Sequence, residues 1–299
     1  MIVKQLDFLS EAIETSDIVN VASVPQRSPF RYPGGKTWLI PRLRQWLSSM
    51  PQRPALFVEP FAGGAIASLT VAFEKLADKV FMSEIDEGVA AVWRAALKPQ
   101  ASSWLSRRIV SYELDRQQCE VDLKKRPRSV REKAFLTLLR NRVSRGGIMA
   151  PGAGLIDYGE DGKGVHSRWY PQTLRKRLEA IAMFRHRIIF EQTDAFKVLR
   201  RFKKRPDAVF FIDPPYTASK KKAGSRLYNY FEVNHRALFK LASECVGDVL
   251  LTYDNAEEIQ ELASEFGFET RAIAMKNTHH AEMNELLVGK QLSWCKNGW

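Results

Sequence analysis

Asp213-Pro214-Pro215-Tyr216 places a carboxylate, a stiff turn and an aromatic ring within four residues. It closes the run Ala208-Val209-Phe210-Phe211-Ile212, which is short, bulky, apolar and free of polar alternation. Such a run predicts a buried strand of the kind parallel sheets use. Two prolines in a row cannot donate to a ladder, and Pro214 biases Asp213 toward extended backbone, so the strand must end there. Asp213 thus falls at the carboxyl end of a buried strand, the edge where open α/β sheets bind ligands. The plainer reading is a capping aspartate before a turn, and the rest of the chain decides between the two.

A second group with chemical content is Tyr32-Pro33-Gly34-Gly35-Lys36-Thr37. Gly-Lys-Thr invites a phosphate-loop reading, but that loop needs a further glycine where this chain has Phe30, and Pro33 sits inside it. A nucleotide triphosphatase is therefore disfavoured. Paired glycines let backbone approach a ligand closely, with a lysine and a tyrosine flanking them and a helix through Trp38, Leu43 and Leu47 beyond. The third group follows another predicted strand, Ala55 to Glu59, and runs Glu59-Pro60-Phe61-Ala62-Gly63-Gly64 into a helix. Strand, glycine turn and helix make the layout of a nucleotide-type cofactor site, although the spaced dinucleotide fingerprint is absent. The next predicted strand, Lys79 to Ser83, ends at Glu84 and Asp86. Glu84 lies where an acid commonly accepts from ribose hydroxyls, whereas Asp86 suits a helix N-cap.

The elements that carry these groups alternate strand and helix on both sides of a basic interruption. Residues 101–150 hold 12 Lys and Arg against 5 Asp and Glu. A helical face through Phe135, Leu138 and Leu139 is followed by Arg140, Asn141, Arg142 and Arg145, then by a glycine-rich turn and a hairpin turn at Tyr158 to Gly164. Arginine with asparagine at a helix end suits contact with base edges. The alternative is a solvated basic helix. The chain accordingly divides into a peripheral segment 1–27, a core half 28–100, a small, mainly helical recognition insert 101–168 and a second core half 169–299. The predicted class is α/β, with a mostly parallel, Rossmann-like sheet. A final pair of strands, from Phe268 and from Glu285, reads as an antiparallel hairpin at the sheet edge. After Asp213 a long positive loop carries Lys220, Lys221 and Lys222, placed to clamp a nucleic-acid backbone.

Composition narrows the class. The chain has 299 residues, 45% of them apolar, and a formal charge of +12, which favours a polyanionic partner. Three scattered cysteines form no C-x-x-C pair, so no metal site or disulfide framework is expected and a cytoplasmic setting fits. No apolar run approaches ~18 residues, so no membrane span is expected.

With these motifs in their order, residues 28 to 293 resemble the Dam-type DNA adenine-N6 methyltransferase family, which uses S-adenosylmethionine. Tyr32 to Lys36 is similar to that family's opening motif, Phe57 to Gly64 to its methionine-binding motif, and Asp213 to Tyr216 to its catalytic motif. Leu251-Thr-Tyr-Asp-Asn255 and Glu285-Leu-Leu287 match later motifs. Glu84 stands where the family usually has aspartate. The order, with the recognition insert between cofactor and catalytic motifs, is the family's permuted one. The resemblance implies Asp213, Pro214 and Tyr216 as catalytic residues, and Tyr32, Lys36, Glu59, Phe61, Gly63, Glu84 and Asp213 around the cofactor. It implies methylation of an adenine flipped out of duplex DNA, a monomer or weak dimer, and, in a restriction-modification setting, a cognate restriction endonuclease. The alternatives are an N4-cytosine or RNA amine methyltransferase, or a non-catalytic DNA-binding protein that keeps the fold.

Overall fold

A computed structural model describes residues 24–32, 35–149, 153–215, 233–276 and 282–295. Most of the peripheral N-terminal segment, Pro33, Gly34, Tyr216 and Lys220 to Lys222 lie outside these residues. Seven strands form one sheet: β1 (Leu56–Glu59), β2 (Lys79–Ser83), β3 (Ile188–Glu191), β4 (Ala208–Ile212), β5 (Val249–Asp254), β6 (Glu269–Lys276) and β7 (Glu282–Gly289). Their order is β3-β2-β1-β4-β5-β7-β6. The first five pair in parallel, and β7 enters antiparallel between β5 and β6. The expected Rossmann-like α/β class is the one observed, and the terminal hairpin is at the edge, with its second strand inside.

Helices among the described residues cover both faces. They are α1 (Ile40–Ser48), α2 (Ile66–Glu74), α3 (Glu87–Ala96), α4 (Pro99–Val110), α5 (Arg116–Asp122), α6 (Val130–Val143), α7 (Pro171–Phe184), α8 (Ala195–Phe202), α9 (His235–Ser243) and α10 (Glu257–Glu265). Strand pleat sorts the core into two layers, because successive side chains point to opposite faces. Phe57, Met82, Val209, Phe211 and Leu250 join the helices α1 to α4, α6 and α7 in one cluster. Val58, Phe81, Phe210, Ile212 and Leu251 join α8, α9 and α10 in the other. All five residues of β4 are buried, as the unbroken apolar run requires.

The insert departs from its expected form in two ways. The boundary drawn at 100/101 falls inside α4, which packs on α7, while α6 packs on α3. Leu105, Ile109, Phe135, Leu138 and Leu139 belong to the same buried cluster as Val92, Trp93 and Leu174. Each such side chain contributes roughly 1.5–3 kcal/mol when fully buried, so these helices share the sheet's core. Second, the hairpin turn expected at Tyr158 to Gly164 has no flanking strands among the described residues. Two short 3-10 turns, Glu160–Gly162 and Gly164–Arg168, occupy the region, and a single bridge joins Ser144 to Leu155. Glycines at 159, 162 and 164 take positive φ there, which a run of tight turns accommodates and a regular ladder does not.

Candidate active site

Sheet order reverses between β1 and β4, and the crevice above their carboxyl ends is the expected ligand position. Glu59 is the last residue of β1, Glu84 follows β2, Asp213 follows β4, and Asp254 is the last residue of β5. Glu285 on β7 is the cross-strand partner of Asp254. Five carboxylates thus come to one edge of the sheet from five strands.

Lys36 reaches into this group from the short 3-10 turn Lys36–Leu39 that leads into α1. Only 3% of it is exposed. Its Nζ lies 3.2 Å from Asp213 Oδ1 and 3.2 Å from Glu285 Oε2, and 3.4 Å from Glu285 Oε1. Burial opposes the lysine's charge, but Asp213 and then Glu285 outweigh it and raise its pKa. The Thr252 hydroxyl donates to Asp213 Oδ1 at 2.7 Å. Lysine and threonine together fix the carboxylate on the strand end. The same arrangement disposes of the phosphate-loop reading, since Lys36 is engaged by two carboxylates.

Glu59 is buried and Glu84 partly so, and both are strongly perturbed. Glu59 accepts from the Ser68 N–H, near the start of α2, at 2.9 Å. Burial, with Asp213 and Glu84 as negative neighbours, pushes its carboxyl up to about 8. Glu84 accepts from the backbone of Gly63 at 2.9 Å, Ile85 at 2.8 Å and Asp86 at 2.9 Å. Burial pushes it up to about 7 against those three donors. In this state the glutamate braces the glycine turn, and its role toward a ribose rests on what enters the crevice. Asp86 is the N-cap of α3, accepting from Gly88 at 2.8 Å and Val89 at 2.9 Å, as its position suggested.

Gly63 is held from both sides, because its carbonyl also accepts from Trp93 Nε1 at 2.9 Å. Its φ is +46°, and an added Cβ would lie 2.7 Å from the Tyr32 ring. Tyr32 therefore lies directly over the glycine turn, and only glycine leaves room for it. Phe61 is partly buried against the second core layer. Pro214 is buried beside Asp213.

The residues expected to read bases divide differently from their sequence grouping. Asn141 is fully buried. It accepts from the Arg31 N–H at 2.8 Å and donates Nδ2 to the carbonyls of Arg31 and Gly147, both at 2.8 Å. Arg142 is buried too and donates to the Pro29 carbonyl at 2.5 Å; burial, then Arg177 and Arg31, push it down to about 9. Arg177 of α7 donates to the Ser28 carbonyl at 2.8 Å. The base-contact expectation is corrected for Asn141 and Arg142: their polar atoms hold the strand of chain that leads to Tyr32 and Lys36. Arg140 caps the Leu123 carbonyl at 3.0 Å. Arg145 alone of the four is largely exposed, paired with Asp157 at the rim.

Sequence reasoning passed over Thr252, Asp254, Trp93 and Arg177 as individual residues, and quoted Glu285 only as part of a motif. A glutamate immediately before Leu286-Leu287-Val288 was the available signal, since a charge on the first buried position of an apolar strand needs a partner. Among the described residues no cluster of metal-ligating side chains occurs, and no helix is long and apolar enough to cross a membrane.

The sheet order defines a Rossmann-like α/β protein whose switch point is lined by acids at the carboxyl edge. No protein-family model and no curated protein sequence matches the chain. Among solved structures, it is similar to the rRNA methyltransferase aviRa of Streptomyces viridochromogenes, with 14% identity, 87% of each chain covered and a TM-score of 0.41. It is also similar to a precorrin-6y C5,15-methyltransferase of Geobacter metallireducens, at 9% identity over 84% of this chain and 86% of that one, TM-score 0.35. A third is an rRNA methylase of Streptococcus thermophilus, at 10% identity over 84% and 94%, TM-score 0.34.

Proposed function

We propose that the protein is an S-adenosylmethionine-dependent methyltransferase acting on the exocyclic N6 amine of an adenine in duplex DNA. The observation that carries this reading is the meeting of five acidic side chains, Glu59, Glu84, Asp213, Asp254 and Glu285, at one edge of the sheet, with Lys36 as the lysine among the described residues that pairs with two of them; even with Glu59, Glu84 and Glu285 partly neutral near pH 7, the acids outweigh it. A donor bearing a sulfonium and an ammonium against one carboxylate is net cationic and matches that field. A nucleoside triphosphate would be repelled by it. The residues present fit such a donor. Glu59, Phe61, the Gly63 turn, Glu84 and Lys36 would line its place, with Tyr32 over the turn. When bound, the donor supplies an electrophilic methyl group.

The chain's own part is alignment and electrostatics. An aromatic exocyclic amine is a poor nucleophile, because its lone pair is delocalised into the ring. Asp213, held by Lys36 and Thr252, can accept one of the amine's N–H groups, and the carbonyl of Pro214 can accept the other. That pairing turns the lone pair away from the ring plane and toward the methyl, and fixed groups do this without reorganising. The amine is inaccessible inside a duplex, so the base must leave the stack. Tyr216 would offer it a stacking face. The net charge of +12 suits a nucleic-acid backbone.

The test is to incubate the purified chain with the donor and with duplex DNA or RNA, and to analyse the nucleosides by mass. N6-methyladenine from DNA is the expected product. N4-methylcytosine or a methylated RNA nucleoside would redirect the substrate within the same chemistry. Calorimetric absence of donor binding would remove the reading altogether.

A further inference from the structure

Methylating a neutral amine creates a proton that has to leave. As nitrogen's lone pair forms the N–C bond, the C–S bond breaks and its electrons stay on sulfur. The product amine then carries one N–H too many. Asp213, as the acceptor of that N–H, becomes a carboxylic acid and must be reset before another turnover. It is flanked by substrate on one side and by the sheet on the other.

We propose that Lys36 and Glu285 form a proton exit from Asp213, with Glu285 as the terminal acceptor. The proposal rests on the reading of Asp213 as the catalytic carboxylate. Its geometry is a continuous line: Asp213 Oδ1 to Lys36 Nζ is 3.2 Å, and Lys36 Nζ to Glu285 Oε2 is 3.2 Å. The Lys36 ammonium gives one N–H proton to Glu285, and the amine so formed turns about its Cε–Nζ bond and takes the O–H proton of Asp213. Asp213 returns to carboxylate, Lys36 stays an ammonium, and Glu285 becomes the acid. Lys36, which is 3% exposed, is neutral only in passing and ends the step as the ammonium that its two carboxylate neighbours favour. Beyond Glu285 the way out is its cross-strand partner Asp254, which is only half-buried. Cross-strand partners on one face lie within side-chain reach.

The charged groups facing Glu285 are Lys36, Asp213 and Asp254. Burial first, with the two carboxylates, outweighs the lysine and pushes Glu285 up to about 7. Both of its forms are therefore populated near neutral pH, as a terminal acceptor that must both take and release a proton requires. A purely structural ion pair would do better with an acid that stays ionised.

The experiment compares the protein with Glu285→Gln and Glu285→Asp, following steady-state methyl transfer across pH, donor affinity by calorimetry, and carboxyl titration by infrared or carbon-13 spectroscopy. Glutamine keeps an acceptor for Lys36 but cannot take the proton. The expected result is a rate at least ~10-fold lower with donor affinity preserved. The near-neutral limb of the rate profile should vanish, and Glu285→Asp should recover part of the rate. A parent-like rate and pH profile in Glu285→Gln would overturn the relay. Should that variant fail to fold, an unchanged rate in Glu285→Asp does the same. A second measurement needs no turnover: Asp213→Asn removes a negative neighbour, so the Glu285 titration should move to lower pH. An unmoved titration beside normal methylation sinks the relay and spares the enzyme assignment. A moved titration in a protein that methylates no nucleic acid sinks the assignment, and the relay with it.

Discussion

At the scale of single residues, the crevice holds groups whose ionisation the fold has displaced, and these give sharp expectations. Asp213→Ala should retain donor and nucleic-acid binding while methyl transfer falls at least ~10²-fold, read by single-turnover kinetics. Lys36 keeps Glu285 as a partner in that variant, so the fold survives. Glu59 offers a test by pH. Its folded value is raised to about 8 by burial. Stability associated with its neutral form is therefore whole below the unfolded carboxyl range and drains away as pH climbs toward 8. Glu59→Gln is neutral throughout. Its unfolding free energy relative to the parent should improve by at least ~1 kcal/mol between pH 5 and pH 8.5, measured by urea titration. A pH-independent difference would show that Glu59 does not titrate in this window. Asp213 and Lys36 could be picked out from the chain as chemistry-bearing residues, because prolines and glycines punctuate them. Their contact could not, since no local pattern encodes an ion pair between two motifs so distant along the chain. Glu285 and Thr252 stayed inconspicuous for the same reason.

At the scale of elements, strand identities were readable because full burial writes itself as unbroken apolar runs, as in β4. The end of α6 was misleading. Arg140, Asn141, Arg142 and Arg145 form a polar, basic helix end in sequence, and polar side chains at such a place suggest a solvent or ligand face. The fold instead turns two of them inward to satisfy backbone groups of residues 29–31 and Gly147. Periodicity reports which face is apolar and is silent about buried polar side chains that serve another segment's main chain. Gly147 confirms how close that approach is: with φ at +75°, an added Cβ would stand 2.4 Å from the Arg31 carbonyl. Asn141→Ala should cost ~2–4 kcal/mol, since it leaves several buried backbone groups unpaired. Arg145→Ala should change stability by less than ~0.5 kcal/mol while weakening nucleic-acid binding. Denaturant unfolding and a binding isotherm on both variants separate these outcomes. An equal stability loss in both would contradict the inward role assigned to Asn141.

At the scale of the whole molecule, two charge distributions of opposite sign coexist. The crevice is acidic, while the chain carries 46 basic against 34 acidic residues. The proposed cationic donor and polyanionic substrate would each be drawn to a different region. Nucleic-acid binding should consequently weaken at least ~10-fold between 50 and 200 mM salt, and donor binding much less, measured by fluorescence anisotropy and calorimetry. Similar salt slopes for both ligands would contradict this separation. The overall class was legible from strand–helix alternation alone. The partition into core and insert was not, because a shift in composition marks a change of surface, and the helices of the insert keep their apolar sides on the common core.

Asn141, Arg142 and Arg177 together fasten the leader of Tyr32 and Lys36 to α6 and α7. Chimeras that replace residues 101–168 therefore face a hidden constraint. A transplanted segment lacking the Asn-Arg pair would unmoor the lysine that steadies Asp213, so exchanges in this region should begin downstream of Val143.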